Sequence, residues 1–239
     1  RILSTMQGVV VVPITDNLRV RPLRQGIELA SSVPLSLSSV SPEVAAGSKI
    51  GSLGPVSRVL DLEKWGLAEP EDFRKRKYEL QLNIAFAKDA AAEQEARYDL
   101  ASFYFAHAFA AESLGILRRM LETRPELEDT AEFRLIRGGS RFLMERLTEA
   151  AEDFGHASLD NSDEGSFWRA AVIAKSGEVI AAAHELRRTG SIVQSYPKPL
   201  RIAMSILIAD SIVAIGDIKQ AQQYIEALRA AGPIKNQLA

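Results

Sequence analysis

The stretch Leu100–Leu117, LASFYFAHAFAAESLGIL, decides the fold of this chain. Its apolar residues recur at helical spacings in two runs, and each run carries a small residue, Ala101 in the first and Ser113 in the second. Two helices joined by a short turn approach closely only where one backbone meets a residue without bulk. Ala101 and Ser113 therefore mark a crossing, with Tyr104 and Leu117 filling the grooves beside it and Pro125 closing the unit.

Outward from this unit, the same pattern returns until four copies stand between about residue 94 and the C-terminus, at intervals of roughly 34 residues, the mark of a helical repeat array. The small position of the first helix holds Ala101, Gly138, Ala170 and Ala209. The second helix has Ser113, Ala150, Ala182 and Ala221 at its small position, then Leu117, Phe154, Leu186 and Ile225 at a large apolar one. The last copy also contains Ile208, Ile212, Gly216, Leu228 and Pro233. Arg141 stands where an apolar residue is expected, beside Phe142, which makes the second copy the weakest and sets its register in question by one residue. A single hairpin cannot cover its own apolar faces, so each needs a neighbour. A non-repetitive bundle of Ala-rich helices is the competing reading.

The chain has 239 residues, 46% of them hydrophobic, enough for a sizeable core in one large or two small domains. Lys and Arg number 29 against 31 Asp and Glu, so no bulk attraction to nucleic acid or an anionic membrane is expected. No apolar run reaches the ~18 residues needed to span a bilayer. The longest, Ile202–Ile215, is broken by Ser205, Asp210 and Ser211 and reads as a buried repeat helix. Cysteine is absent, which excludes disulfides, thiolate zinc sites and cysteine nucleophiles and suits a bacterial cytoplasmic or periplasmic protein. A chain that starts at Arg1 reads as a piece of a longer protein, with any signal peptide upstream.

The first third differs in character. Val9–Val12 is a β-branched run; Leu18, Val20 and Pro22 alternate with Arg19 and Arg21; Ile27 and Leu29 follow Gly26. Period-two alternation between turn residues predicts short antiparallel strands, connected at Thr15-Asp16-Asn17 and Arg24-Gln25-Gly26. So few strands seldom stand alone, so they belong to an upstream β module or pack on the first helices. Residues 31–57 read as a Ser/Gly-rich linker, and helical character begins near Glu69-Pro70. Phe73, Lys77, Leu80, Ile84 and Ala87 then share one helix face, predicting a cap for the array. The expected division is 1–57, strands and linker; 58–93, capping helix region; 94–239, four helical hairpins.

The spacings resemble the tetratricopeptide repeat (TPR). Leu100-Ala101-Ser102-Phe103-Tyr104 running into Ala110-Ala111-Glu112-Ser113-Leu114-Gly115, preceded by Leu62–Trp65, is similar to the opening repeat of large proteobacterial TPR proteins with an upstream β-rich region. The resemblance covers roughly residues 8 to 230. It implies a mainly α fold, a TPR-like superhelix (α-solenoid) preceded by a small β-rich segment. One departure is clear: where the family has a large aromatic early in the first helix, this chain has Arg97, Arg134, Ser166 and Ser205. In the family register the outward face of each first helix lines a groove, which here assigns Tyr98, Phe105, Leu135, Phe142, Phe167, Ile206 and Asp210 to partner binding. The alternative is that these side chains pack within or between repeats, or under the β segment. The family's carboxylate clamp has no counterpart, so capture of a chaperone tail is not expected.

No constellation predicts catalysis, a cofactor or a metal. His107, His156 and His184 lie one per repeat without ligand spacing. Arg74-Lys75-Arg76-Lys77 points in all directions around a helix and sits among Glu69, Glu71, Asp72 and Glu79, as a solvated helix with local ion pairs does. Gly47–Gly54 lacks the glycine order and the Gly-Lys-Ser/Thr ending of a phosphate loop. Glu152 and Asp153 read as an ordinary pair on a polar face. The expectation is a non-enzymatic scaffold for protein partners, periplasmic or envelope-associated rather than cytoplasmic. The alternatives are a self-associating spacer in a ring or filament, and a regulatory segment of a larger enzyme.

Overall fold

The computed structural model describes residues 2–5, 8–11, 18–23, 26–31, 56–67 and 72–231. Most of the linker, the connections at Thr15-Asp16-Asn17 and Arg24-Gln25, the Gly47–Gly54 stretch, Glu69-Pro70 and Pro233 lie outside these residues. Two antiparallel strand pairs come first. β1 (Ile2–Thr5) pairs with β2 (Gly8–Val11), and β3 (Leu18–Leu23) pairs with β4 (Gly26–Ser31) in a register that sets Val20 opposite Leu29.

The rest is helical. α1 (Asp72–Ala85) is followed by four hairpins: α2 (Ala90–Ala106) with α3 (Ala110–Thr123), α4 (Ala131–Leu143) with α5 (Leu147–Phe154), α6 (Asp163–Lys175) with α7 (Val179–Thr189), and α8 (Lys198–Ala214) with α9 (Ile218–Ala231). Short polar side chains start several of them. Asp89 accepts the Ala92 N–H at 2.8 Å and Ser162 accepts that of Gly165 at 3.1 Å, each satisfying a donor left free by the first helical turn. At the start of α8, Pro197 at the cap and Pro199 in the first turn fix φ where no N–H is required.

All four hairpins turn in the same way. Ala108, Glu145, Gly177 and Gly216 adopt φ of 63°, 60°, 101° and 81°. The N–H of the next residue then returns five residues: Phe109 to Tyr104 and Arg146 to Arg141 at 2.9 Å, Glu178 to Ile173 at 3.1 Å, Asp217 to Ile212 at 3.2 Å. This is a left-handed helix stop, repeated at equivalent positions. Counting back seven residues from each gives Ala101, Gly138, Ala170 and Ala209, and counting forward five gives Ser113, Ala150, Ala182 and Ala221. The second hairpin is therefore in register, and the doubt raised by Arg141 is corrected; that side chain turns to a carboxylate on the paired helix, described below.

The small positions act as crossings. All eight are buried, and a Cβ at Gly138 would meet the Phe154 ring at 2.7 Å and Asp153 Cβ at 2.9 Å. One at Gly139 would meet the Phe105 ring at 2.5 Å, so α4 approaches its own partner at Gly138 and the preceding hairpin at Gly139. Leu117, Phe154 and Leu186 are fully buried, each where the next hairpin covers it. Ile225 was placed with them and is 38% exposed instead, because among the described residues no hairpin follows α9. The first helices α2, α4, α6 and α8 contact one another in sequence and form a wall; α1 packs on α2 through Phe73 and Leu80.

Candidate functional site

A segment from Val56 to Leu67 bends at Val59, takes a 3-10 turn at Glu63–Trp65 and lies against this wall. It is held at both ends. At the N-terminus of α6, the Ser57 N–H and hydroxyl donate to Asp163 Oδ2 at 2.8 and 3.2 Å, and the Asp163 N–H returns to Ser57 Oγ at 2.9 Å. The backbone N–H groups of Val59 and Leu60 both donate to Glu164 Oε2, at 2.7 and 2.9 Å. At the C-terminal end of α2, His107 Nε2 donates to the Trp65 carbonyl at 2.8 Å, and on α2 itself Asp99 pairs with Lys64 at 3.6 Å. Leu60, Leu62 and Trp65 are buried in the main core, and Trp65 meets Phe103 edge-on at 6.2 Å.

Glu164 is the centre of this arrangement. Its side chain is fully buried, its second oxygen accepts the Tyr196 hydroxyl at 2.5 Å, and Tyr196 also accepts the Trp168 N–H at 3.3 Å. Burial pushes its carboxyl above the ordinary value, since the Leu60 and Val59 N–H groups and Tyr196 only partly offset the loss of water. Asp163 behaves oppositely. The Ser57 N–H bond, then Arg188 at 2.6 Å, hold its carboxyl below the usual range. The pair thus presents a charged acceptor at the rim and a buried one beside it, both addressed to main-chain donors, which every polypeptide carries.

A second polar cluster joins α4 to α5. Arg134, Arg137 and Arg141 lie one turn apart on α4 and all reach Asp153, which is fully buried. The bonds are 3.0 Å from Arg134 Nη1, 2.6 Å from Arg137 Nη2 and 2.6 Å from Arg141 Nη1. Glu128 and Glu149 contact the same arginines from the rim. Burial alone would lower the Arg137 guanidinium, and its bonds to Asp153 and Glu128 more than reverse this, so it stays charged. With three cations facing three carboxylates, the cluster is internally neutralised and ties the hairpin together. The reading of Asp153 as an ordinary surface carboxylate is corrected, whereas its neighbour Glu152 is exposed.

The residues assigned to the groove separate into three groups. Phe105, Leu135 and Phe167 are fully buried and Phe142 nearly so. Phe142 packs edge-on against Trp168 at 5.6 Å, and Phe105 fills the space that Gly139 leaves. These four are core, because the first helices are covered on the faces that touch α1, the paired helices and each other, and their assignment as free groove lining is corrected. Tyr98 is half-buried between them, with its phenol pushed up by burial and then by Glu132. Ile206 and Asp210 are exposed on α8.

His107 is buried, and burial lowers its imidazole. His156 pairs with Ser158 at 2.9 Å and lies 3.5 Å from Asp129, and His184 is exposed. Among the described residues no group of three or more His, Cys, Asp or Glu is placed to hold a metal ion, and no helix is long and apolar enough to cross a membrane. In the basic run, Arg76 pairs with Glu79 at 3.0 Å and lies over the Trp65 ring. No protein-family model, no curated protein and no solved structure matches the chain.

Proposed function

We propose that this chain is a non-catalytic protein-interaction scaffold: a TPR-like superhelix of helical hairpins, preceded by a small β-rich segment, that serves a bacterial envelope or appendage-associated assembly. The observation that carries the reading is the grip on Val56–Leu67. The wall of first helices meets an irregular segment with backbone-directed carboxylates at one end and an aromatic pocket at the other. That is the chemistry by which a helical array holds another chain. The repeated turn at Ala108, Glu145, Gly177 and Gly216 supports the repeat reading.

The test is capture of partners by the purified chain from bacterial soluble and envelope fractions, followed by reconstitution of each candidate from pure components. A stoichiometric complex with a measurable Kd is the expected result. Absence of any complex that survives reconstitution would overturn the scaffold reading.

A second reading has its own observation. Ile225 is uncovered at the position that the next hairpin buries elsewhere, and at the opposite end of the array Tyr78 on α1 and Phe86 just after it are exposed. Such ends favour head-to-tail stacking of copies into a spacer, since heterologous contacts propagate. Light scattering over a concentration series tests it, with growth in mass in the absence of any partner expected.

A further inference from the structure

Ser57, Val59 and Leu60 bond to a helix more than 100 residues downstream, the longest separation in sequence among the described side-chain hydrogen bonds. We propose that Val56–Trp65 is a self-docked ligand, and that the surface it covers on α6 and α2 receives a segment of a partner protein bent in the same way. The partner's segment carries the same chemistry: a hydroxyl residue, two adjacent apolar residues two and three positions on, a further apolar residue, and then an aromatic ring. This rests on the scaffold reading and names what its site takes.

The surface is addressed to a backbone shape: consecutive N–H groups of an extended strand point to opposite sides, and the bend at Val59 turns two of them the same way. Glu164 Oε2 takes two consecutive backbone N–H groups and no side chain of the strap, so the contact depends on conformation rather than on residue identity. Specificity comes from Leu60 and Leu62 in the core and from the ring of Trp65 beside Phe103. The strap also fits imperfectly. Trp65 Nε1 and His107 Nδ1 are both buried without a hydrogen-bond partner, at the same end of the segment. Buried unpaired polar atoms cost stability, so this ligand is one that a better-matched segment displaces despite the advantage of being tethered. A second copy of the chain has no such advantage, because its strap makes identical bonds and must also surrender its freedom of motion.

The experiment uses the full chain and a fluorescein-labelled synthetic peptide of residues 56–67. Leu60→Asp with Leu62→Asp weakens the strap without altering the surface beneath it. We expect this variant to keep its helical circular dichroism and to bind the peptide saturably, with wild type binding about tenfold or more weakly because the strap competes in cis. Adding Glu164→Gln to the variant should abolish that binding.

The chain contains no cysteine, so Ser57→Cys with Asp163→Cys makes a reversible lock where the two side chains meet. Oxidation should block the peptide and reduction restore it. Collapse of the helical signal in the Asp variant would show the strap to be core, and a folded variant that ignores the peptide would show the surface to have no affinity; either overturns the inference. A disulfide forming between a Ser57→Cys copy and an Asp163→Cys copy would assign the surface to a second copy instead. A reconstituted partner that binds oxidised and reduced lock equally would sink this inference while leaving the scaffold reading intact. Peptide capture with no partner that survives reconstitution would overturn the scaffold reading and, with it, the assignment of the surface to a partner.

Discussion

Replacing Asp153 by Asn is the sharpest test of how the second hairpin is held. The side chain is fully buried and accepts from Arg134, Arg137 and Arg141, at distances between 2.6 and 3.2 Å. Asparagine keeps the volume and one acceptor but removes the charge that three guanidinium groups share. Breaking a buried ion pair from one side costs about 3–5 kcal/mol, because the remaining charge is left uncompensated. Arg134 and Arg141 keep 14% and 19% of their side-chain exposure, and Glu128 and Glu149 stand at the rim, so water and these carboxylates absorb part of the loss. The expected cost is therefore near the lower bound, about 3 kcal/mol.

Urea unfolding followed by circular dichroism measures it. With a slope of about 3 kcal/mol per molar, the midpoint falls by about 1 M. Glu152→Gln, one residue away and exposed, should change stability by no more than about 0.5 kcal/mol. Adding Arg137→Met to Asp153→Asn should cost less than the sum of the two single changes, since the guanidinium left without its main partner is then gone. A loss under about 1 kcal/mol for Asp153→Asn, or strict additivity in the double mutant, would refute the account of a shared buried carboxylate.

The remaining predictions concern the turns, the crossings and the strap's anchor. Ala108→Gly and Glu145→Gly should each raise stability by about 0.5–1 kcal/mol in thermal unfolding, because both residues sit in the left-handed region that penalises a Cβ; Gly177→Ala should lower it. Gly138→Ala should cost about 1–3 kcal/mol, since its methyl would lie 2.7 Å from the Phe154 ring; unchanged stability would mean that the helices have room to separate. Glu164 predicts a pH dependence. Its carboxyl is raised in the folded state, so the folded chain binds that proton more tightly than the unfolded chain does. Its contribution is full below the ordinary value of 4.5 and is lost as pH rises through the folded value. The stability of wild type relative to Glu164→Gln should therefore fall from acid toward neutral pH, and a flat difference would contradict the burial of a titrating carboxyl.

The crossings were legible in the sequence because a close helix approach tolerates so few residue types: Ala, Gly and Ser at equivalent positions announce it without any knowledge of neighbours. The turns were less so. Gly177 and Gly216 carry the usual signal of a left-handed stop, but Ala108 and Glu145 adopt the same φ with nothing in their side chains to show it. The supposed groove failed for a related reason. Periodicity tells which residues share a helix face, not whether that face is covered, and Phe105, Leu135, Phe142 and Phe167 face neighbouring helices. Asp153 and Glu164 were hidden because a carboxylate on a helix is exposed by default, and only partners distant in sequence reverse that. For Glu164 the partners are Val59 and Leu60, just past the Ser/Gly-rich linker in a stretch read as leading into the capping helix, and Tyr196, 32 residues on.

The strap changes what kind of object the array is. In a linear repeat protein each hairpin contacts its neighbours alone, so stability is a sum of local terms and the ends fray independently. Here the bonds from Ser57, Val59 and Leu60 to α6, with those from Lys64 and Trp65 to α2, tie the first hairpin directly to the third. Loosening the tie with Leu62→Asp should then speed amide exchange in α2 and in the first turn of α6 together, while α8 and α9, which lie beyond it, keep their protection. Native-state hydrogen exchange resolves this, because it reports opening segment by segment. Equal acceleration throughout the array would mean that Leu62 supports the whole core, and no acceleration would mean that the segment rests on the wall without constraining it.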